Sequence, residues 1–240
     1  MFLRLLVFNL ALFFTILTPP FFQKPTAVLP TTGGLAQAAD SGRVTPYFAN
    51  AGDLHADFHT LLRDYKRSRY EEQGKLQALA RKYDRDEAVP VAVYVPGVME
   101  LDVVQQPASN GLFVSEDPEA VTQFRLAQKV GSTGLLAHNY LAGKLFFDLE
   151  YGDEVYVING DGSYRKFEVY EIADFQALSV YDYRDLETQA VLDQYQVVDR
   201  IYAANNDRLV FQTCIERNGA LAWGRRFVLA RLVDEVGPLH

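Results

Sequence analysis

Cys214 is the one cysteine among 240 residues, and whether it does chemistry depends on its company. A thiol attacks as the thiolate, and a thiolate persists near neutral pH only beside a cation. His138 ends a predicted strand, and Cys214 ends another 76 residues later. Arg225 and Arg226 open the next predicted strand, 11 and 12 residues past the cysteine. Strand ends gathered at one rim of a barrel would bring imidazole, thiol and guanidinium together. Without that company the bland reading wins. Free cysteine is among the most buried residue types, and a lone histidine near a turn is commonly a satisfied polar group.

Other chemistries find little support. One cysteine cannot form an internal disulfide, and four histidines with one thiol do not build a structural zinc site. His55 and His59 stand at helical i, i+4 spacing, but Ala56 sits where a metalloprotease helix needs glutamate, so they read as solvated neighbours. Asp148, Glu150, Asp153 and Glu154 could hold Ca²⁺, but they follow no calcium-loop spacing and read rather as a solvated acidic rim, so no cofactor is required. With 31 acidic against 23 basic residues the net charge is −8. Such a chain gains nothing from counterion release, which excludes nucleic acid as the expected partner. A chain that is 49% hydrophobic and 22% charged is neither disordered nor a coiled coil.

Three segments must position the candidates. Residues 1–38 carry Arg4 and then an apolar run of about 14 residues that ends at Pro19-Pro20. That run is short of the ~20 residues needed to span a bilayer. It reads as a signal peptide, cleaved after Ala36-Gln37-Ala38, or as an N-terminal membrane anchor. Residues 39–87 balance nine basic with nine acidic residues. They place Leu54, Phe58, Leu61, Leu62, Tyr65, Leu76, Leu79 and Tyr83 at helical spacing, which predicts a helical stalk, or a hairpin broken near Gly74. The acidic excess falls in residues 88–240. There, short runs rich in β formers at 91–95, 101–104, 134–138, 154–158, 165–170, 208–212 and 227–230 predict a mainly β barrel or sandwich. Helical pattern returns at about 184–196.

Alternation assigns faces. Leu209, Phe211 and Thr213 share one face and Val210, Gln212 and Cys214 the other, so the bulkier set points inward and Cys214 outward. Phe227 and Leu229 read as inward by the same logic. That reading takes Arg225 inward with them and leaves Arg226 on the outward face with Cys214. Arg226 is therefore the expected partner.

These motifs resemble the sortase family. Gly134-Leu135-Leu136-Ala137-His138-Asn139 is similar to the strand that delivers the family's histidine, and Phe146-Phe147-Asp148-Leu149 and Tyr151–Val157 to the helical turn and strand that follow. Leu209-Val210-Phe211-Gln212-Thr213-Cys214 resembles the strand ending in Thr-Cys, and Trp223–Ala230 the arginine-bearing strand. Ala137 stands where glycine is common, and Gln212 where an apolar residue or threonine is common. The order His, Cys, Arg differs from papain-like folds, in which Cys precedes His, and from L,D-transpeptidases, in which Arg follows Cys almost directly.

The resemblance covers about residues 88–236. It implies a sortase-like closed β-barrel with short helices and a cysteine transpeptidase in which Cys214, His138 and Arg226 act. The thiolate would attack the carbonyl of a sorting-signal peptide, His138 would move the protons, and Arg226 would hold the substrate or the oxyanion. The implied partners are exported proteins bearing that signal, an amine acceptor of the cell envelope or another protein, and the membrane surface through the N-terminus. The implied location is outside the cytoplasm. Two alternatives remain beside this: a hydrolytic relative that transfers to water, and a non-enzymatic surface barrel that binds a partner.

Overall fold

The computed structural model describes residues 51–82, 88–204 and 207–237, with side chains from residue 60 onward. The expectations for residues 1–38 lie outside the described residues. Among those described, no helix is long and apolar enough to cross a membrane. The described residues fall into two units, one from Glu72 onward and one of residues 51–71.

Helix α1 spans Ala51–Lys82 as a single helix, with no break at Gly74. Glycine costs a helix interior only ~1 kcal/mol, and good helix formers flank it. Within the second unit, Arg67 pairs with Glu71 one turn on at 3.0 Å, both exposed. His55 and His59 lie on α1, but their side chains fall outside those described. Within the first unit, Leu76, Leu79 and Ala80 are buried with Val91, Ala92, Tyr156 and Ile158.

The remaining elements are β1 (Pro90–Val95), β2 (Met99–Gln105), β3 (Ala120–Gln123), α2 (Arg125–Lys129), β4 (Thr133–Leu136), a 3-10 helix (Ala142–Phe147), β5 (Glu154–Asn159), β6 (Tyr164–Ala177), β7 (Asp182–Asp185), β8 (Val191–Asp193), α3 (Gln194–Tyr202), β9 (Arg208–Arg217) and β10 (Ala220–Val236). The sheet order is β10-β9-β4-β3-β2-β1-β5-β6-β7-β8, and β10 also pairs with β6. Eight strands therefore close into a barrel, and β7 and β8 run on from β6 beyond the closure. The chain is mainly β with short helices, as expected.

All eight barrel strands send alternate residues to one core, including Val93, Leu101, Val121, Leu135, Val157, Phe167, Phe211 and Val228. That set is the barrel interior. A second core joins Leu136, Val210, Phe227, Leu229 and Phe175 of the outer wall to Tyr183 on β7 and to Val197, Ile201 and Tyr202 on α3. The wall formed by β4, β9, β10 and β6 is thus covered on both sides.

The helix expected at about 184–196 starts later, at Gln194, because Asp193 caps it there. The Asp193 carboxylate accepts the N–H groups of Tyr195 (2.8 Å) and Gln196 (2.9 Å), and the Gln196 side chain accepts the Asp193 N–H at 2.9 Å. This is a capping box. An ion network then anchors α3 to the barrel: Arg200 bonds both Asp185, which is buried, and Glu171. Burial pushes the Asp185 carboxyl up. Arg200 and the N–H groups of Thr188 and Glu187 outweigh burial and hold it below the ordinary value. Its contribution to stability is complete above about pH 4 and is lost as the pH falls through the lower folded-state value. Arg200→Ala should cost about 2 kcal/mol at pH 7, less than a fully buried pair because Arg200 is partly exposed. The difference from the parent chain should shrink below pH 4 in denaturant titrations.

Candidate active site

Strand register decides which side chains meet. β4 runs parallel to β9, with Leu135 beside Phe211 and Leu136 beside Gln212. The pairing continues past the strand end, since the Ala137 N–H bonds the Gln212 carbonyl at 3.3 Å. Thr213 Oγ1 also donates to the Ala137 carbonyl at 2.9 Å. Two residues beyond Leu136, the same register sets His138 beside Cys214. Leu135 and Ala137 belong to the interior core, so His138, one residue on, points outward like Cys214.

β9 and β10 form a hairpin through Asn218 (φ 53°) and Gly219 (φ 78°). Two positive φ angles of this kind twist a two-residue turn to match the strands. β10 carries two more residues than β9 between the Ala220–Arg217 and Gly224–Ile215 pairs, and beyond them Arg225 pairs with Cys214 and Arg226 with Thr213. Directly opposed residues of antiparallel strands share a face. Cys214 therefore shares its face with Arg225, and the face expectation for Arg226 is corrected. An insertion of two residues leaves the alternation intact, so the hairpin irregularity is not the cause. The cause is the second core. Val228 and Ala230 fill the barrel interior, while Phe227 and Leu229 pack outward beneath α3 and β7.

Across β4, β9 and β10, His138, Cys214 and Arg225 thus form one lateral row on the outer wall. Strand spacing of ~4.8 Å sets the step of the row. Cys214 is half-buried, and Arg225 is 2% exposed, with Nη1 donating to the Gly224 carbonyl at 2.8 Å. Burial raises the phenol of Tyr183 on β7 strongly. Arg225 opposes that rise, whereas Asp182 and Cys214 add to it, which places Tyr183 in the electrostatic neighbourhood of the row. Gln212, the polar departure from the expected apolar strand, accepts a hydrogen bond from the buried Tyr202 hydroxyl of α3.

Arg226 faces the other way and is held there. Its Nε and Nη2 bond both carboxylate oxygens of Asp174 on β6, at 2.8 and 2.7 Å. Its guanidinium lies 4.4 Å from the ring centre of Phe147. The Asp174 hydrogen bonds raise its already high value further.

The 3-10 helix closes the site from the His138 side. The His138 carbonyl accepts the N–H groups of Leu141 and Gly143, each at 3.0 Å. A Cβ on Gly143 would sit 2.4 Å from Thr213 Oγ1 and 2.7 Å from the His138 carbonyl oxygen. Glycine is required for that approach, and the helix in turn carries Phe147 to Arg226.

Two residues near the imidazole escaped the sequence reading. Glu116 Oε1 lies 3.4 Å from His138 Nε2. The Tyr140 ring stacks on the imidazole, with centroids 5.1 Å apart and planes 19° apart, and its hydroxyl donates to Glu116 Oε2 at 3.4 Å. Tyr140 follows His138 by two residues and was visible in principle; nothing in the spacing marks Glu116. Of the acidic group 148–154, Glu154 pairs with Lys166 at 2.6 Å, and Asp153 accepts the Glu150 N–H at 2.8 Å.

Comparison with solved structures finds sortases of the A and C types. Sortase A from Corynebacterium diphtheriae shares 14% identity, covering 79% of this chain and 99% of that one, at a TM-score of 0.44. Sortase C-1 from Actinomyces oris shares 17%, covering 68% and 99%, at 0.42. Sortase A from Listeria monocytogenes shares 16%, covering 62% and 90%, also at 0.42. No protein-family model matches the sequence, and no curated protein does. At these identities and scores the likeness decides nothing about chemistry, which rests on the chain's own residues.

Proposed function

We propose that the protein is an exported, sortase-like cysteine transpeptidase acting outside the cytoplasm on a sorting-signal peptide. The observation that carries this reading is the lateral row His138–Cys214–Arg225, with a cation on the strand beside the sulfur and, at its other side, an imidazole two residues past the end of β4. The Cys214 thiolate attacks the scissile carbonyl carbon, and the resulting oxyanion is stabilised by Arg225. When the C–N bond breaks, the His138 imidazolium gives its proton to the departing amine and leaves a thioester on Cys214. An incoming amine attacks the thioester and gives up a proton to the neutral imidazole. Collapse then releases the new amide and restores the thiolate. Cysteine needs less help from a third residue than serine does, so no buried carboxylate is demanded. Arg226, bound to Asp174 and stacked on Phe147, supports the rim in this scheme rather than the reaction.

The test is intact-mass spectrometry after incubation with a library of short signal peptides, with and without a primary-amine acceptor. The expected result is an acyl adduct on Cys214 that converts to a ligated peptide when the amine is present. Hydrolysis without ligation would make the chain a peptidase, and no adduct with any peptide would overturn the enzymatic reading.

A further inference from the structure

The imidazole of His138 is held by a closed circuit of contacts that the proton transfers above do not require. Glu116 comes from the loop that leads into β3, and its two carboxylate oxygens are divided between two partners. One faces His138 Nε2 at 3.4 Å, and the other accepts the Tyr140 hydroxyl at 3.4 Å. Tyr140 completes the circuit by stacking on the imidazole it helps to fix. The His138 side chain is 22% exposed and that of Glu116 75% exposed, so the ring is lodged against the wall with a carboxylate at its outer nitrogen. A carboxylate facing one ring nitrogen favours the tautomer that carries its proton there, and the other nitrogen is left to react.

We propose that Glu116 is a positioning residue for His138, fixing the proton on Nε2 and leaving Nδ1 as the nitrogen that exchanges protons with the substrate amines. The inference rests on the function proposed above. In the first half-reaction the imidazolium carries protons on both nitrogens and gives the one on Nδ1 to the departing amine. The Nε2 proton stays opposite Glu116. In the second half-reaction Nδ1 takes a proton from the incoming amine, and the ring returns to its starting state. Carboxylate–imidazole distances in a substrate-free site commonly tighten once substrate is bound. Tyr140 donates to Glu116, which keeps the carboxylate aimed at the ring.

The experiment joins ring-nitrogen NMR of the full chain with steady-state kinetics. The neutral His138 ring, assigned by its loss in His138→Gln, should show the Nε2–H tautomer in the parent chain and a mixed population in Glu116→Gln. The kcat for ligation should fall roughly tenfold in Glu116→Gln with KM unchanged, less than the ~10²-fold or more that an acid–base group itself supplies. Glu116→Asp should restore part of both readouts. A parent ring in the Nδ1–H form, or a tautomer ratio unmoved by Glu116→Gln, would overturn the proposal. The NMR readout needs no turnover, so failure of the transpeptidase reading leaves it interpretable by itself.

Discussion

Replacing Cys214 by alanine should reduce ligation and peptide cleavage by about 10⁴-fold or more, with the melting temperature within a few degrees of the parent. The sulfur is half-buried, so its removal opens little cavity, and a cost below about 1 kcal/mol is expected. The asymmetry between the two readouts is the point. A packing cysteine would lose stability on truncation and leave turnover alone. A nucleophile does the reverse, because the remaining groups bind and polarise a carbonyl that nothing attacks. His138→Ala should approach the same loss, since residues that act as a unit are not additive. Turnover persisting in Cys214→Ala would remove the sulfur from the mechanism.

Arg225→Ala should lower kcat by about 10²–10³-fold, the usual loss when one oxyanion donor is removed. Arg226→Ala should leave kcat within a few-fold. The Arg226 change should instead lower stability by about 1–2 kcal/mol, because it strips Asp174 of its bidentate partner and Phe147 of its cation. Arg225 is itself buried, so alanine there also disturbs packing. Arg225→Lys keeps the charge in place with less lost volume and should retain more turnover than alanine. Kinetics of the three variants, each at a temperature well below its own melting point, separate the effects. Equal loss of kcat in Arg225→Ala and Arg226→Ala would mean that facing the thiol confers no advantage.

Much of this site was legible in the chain. The strands that carry Cys214, His138 and the arginines announced themselves through runs of β formers, because each has one face in a barrel core. Which of Arg225 and Arg226 shares a face with Cys214 was not legible, for a reason that lies in residues 227–230. Phe227, Val228, Leu229 and Ala230 are all buried, two into the barrel and two beneath α3. A strand covered on both faces loses the alternation from which direction is read. The strands β3, β7 and β8 escaped notice because Ala120–Gln123, Asp182–Asp185 and Val191–Asp193 are short and hold too few β formers in succession to stand out. The same brevity let the 184–196 stretch pass for helix, when its apolar residues serve a strand pair and only later α3. Glu116 reaches the imidazole by tertiary approach alone, and no local pattern points to it.

The parallel alliance of β4 with β9 sets when the thiol meets the imidazole. Their contact at Ala137 and Thr213 closes a loop of 76 residues, and such distant parallel pairings are costly in chain entropy and slow to nucleate. Until β5 through α3 have taken their places the sulfur lacks the imidazole, whereas Arg225 comes to it through the local β9–β10 hairpin. On the function proposed above, the thiol therefore gains its proton-transfer partner only when two distant stretches of the chain meet.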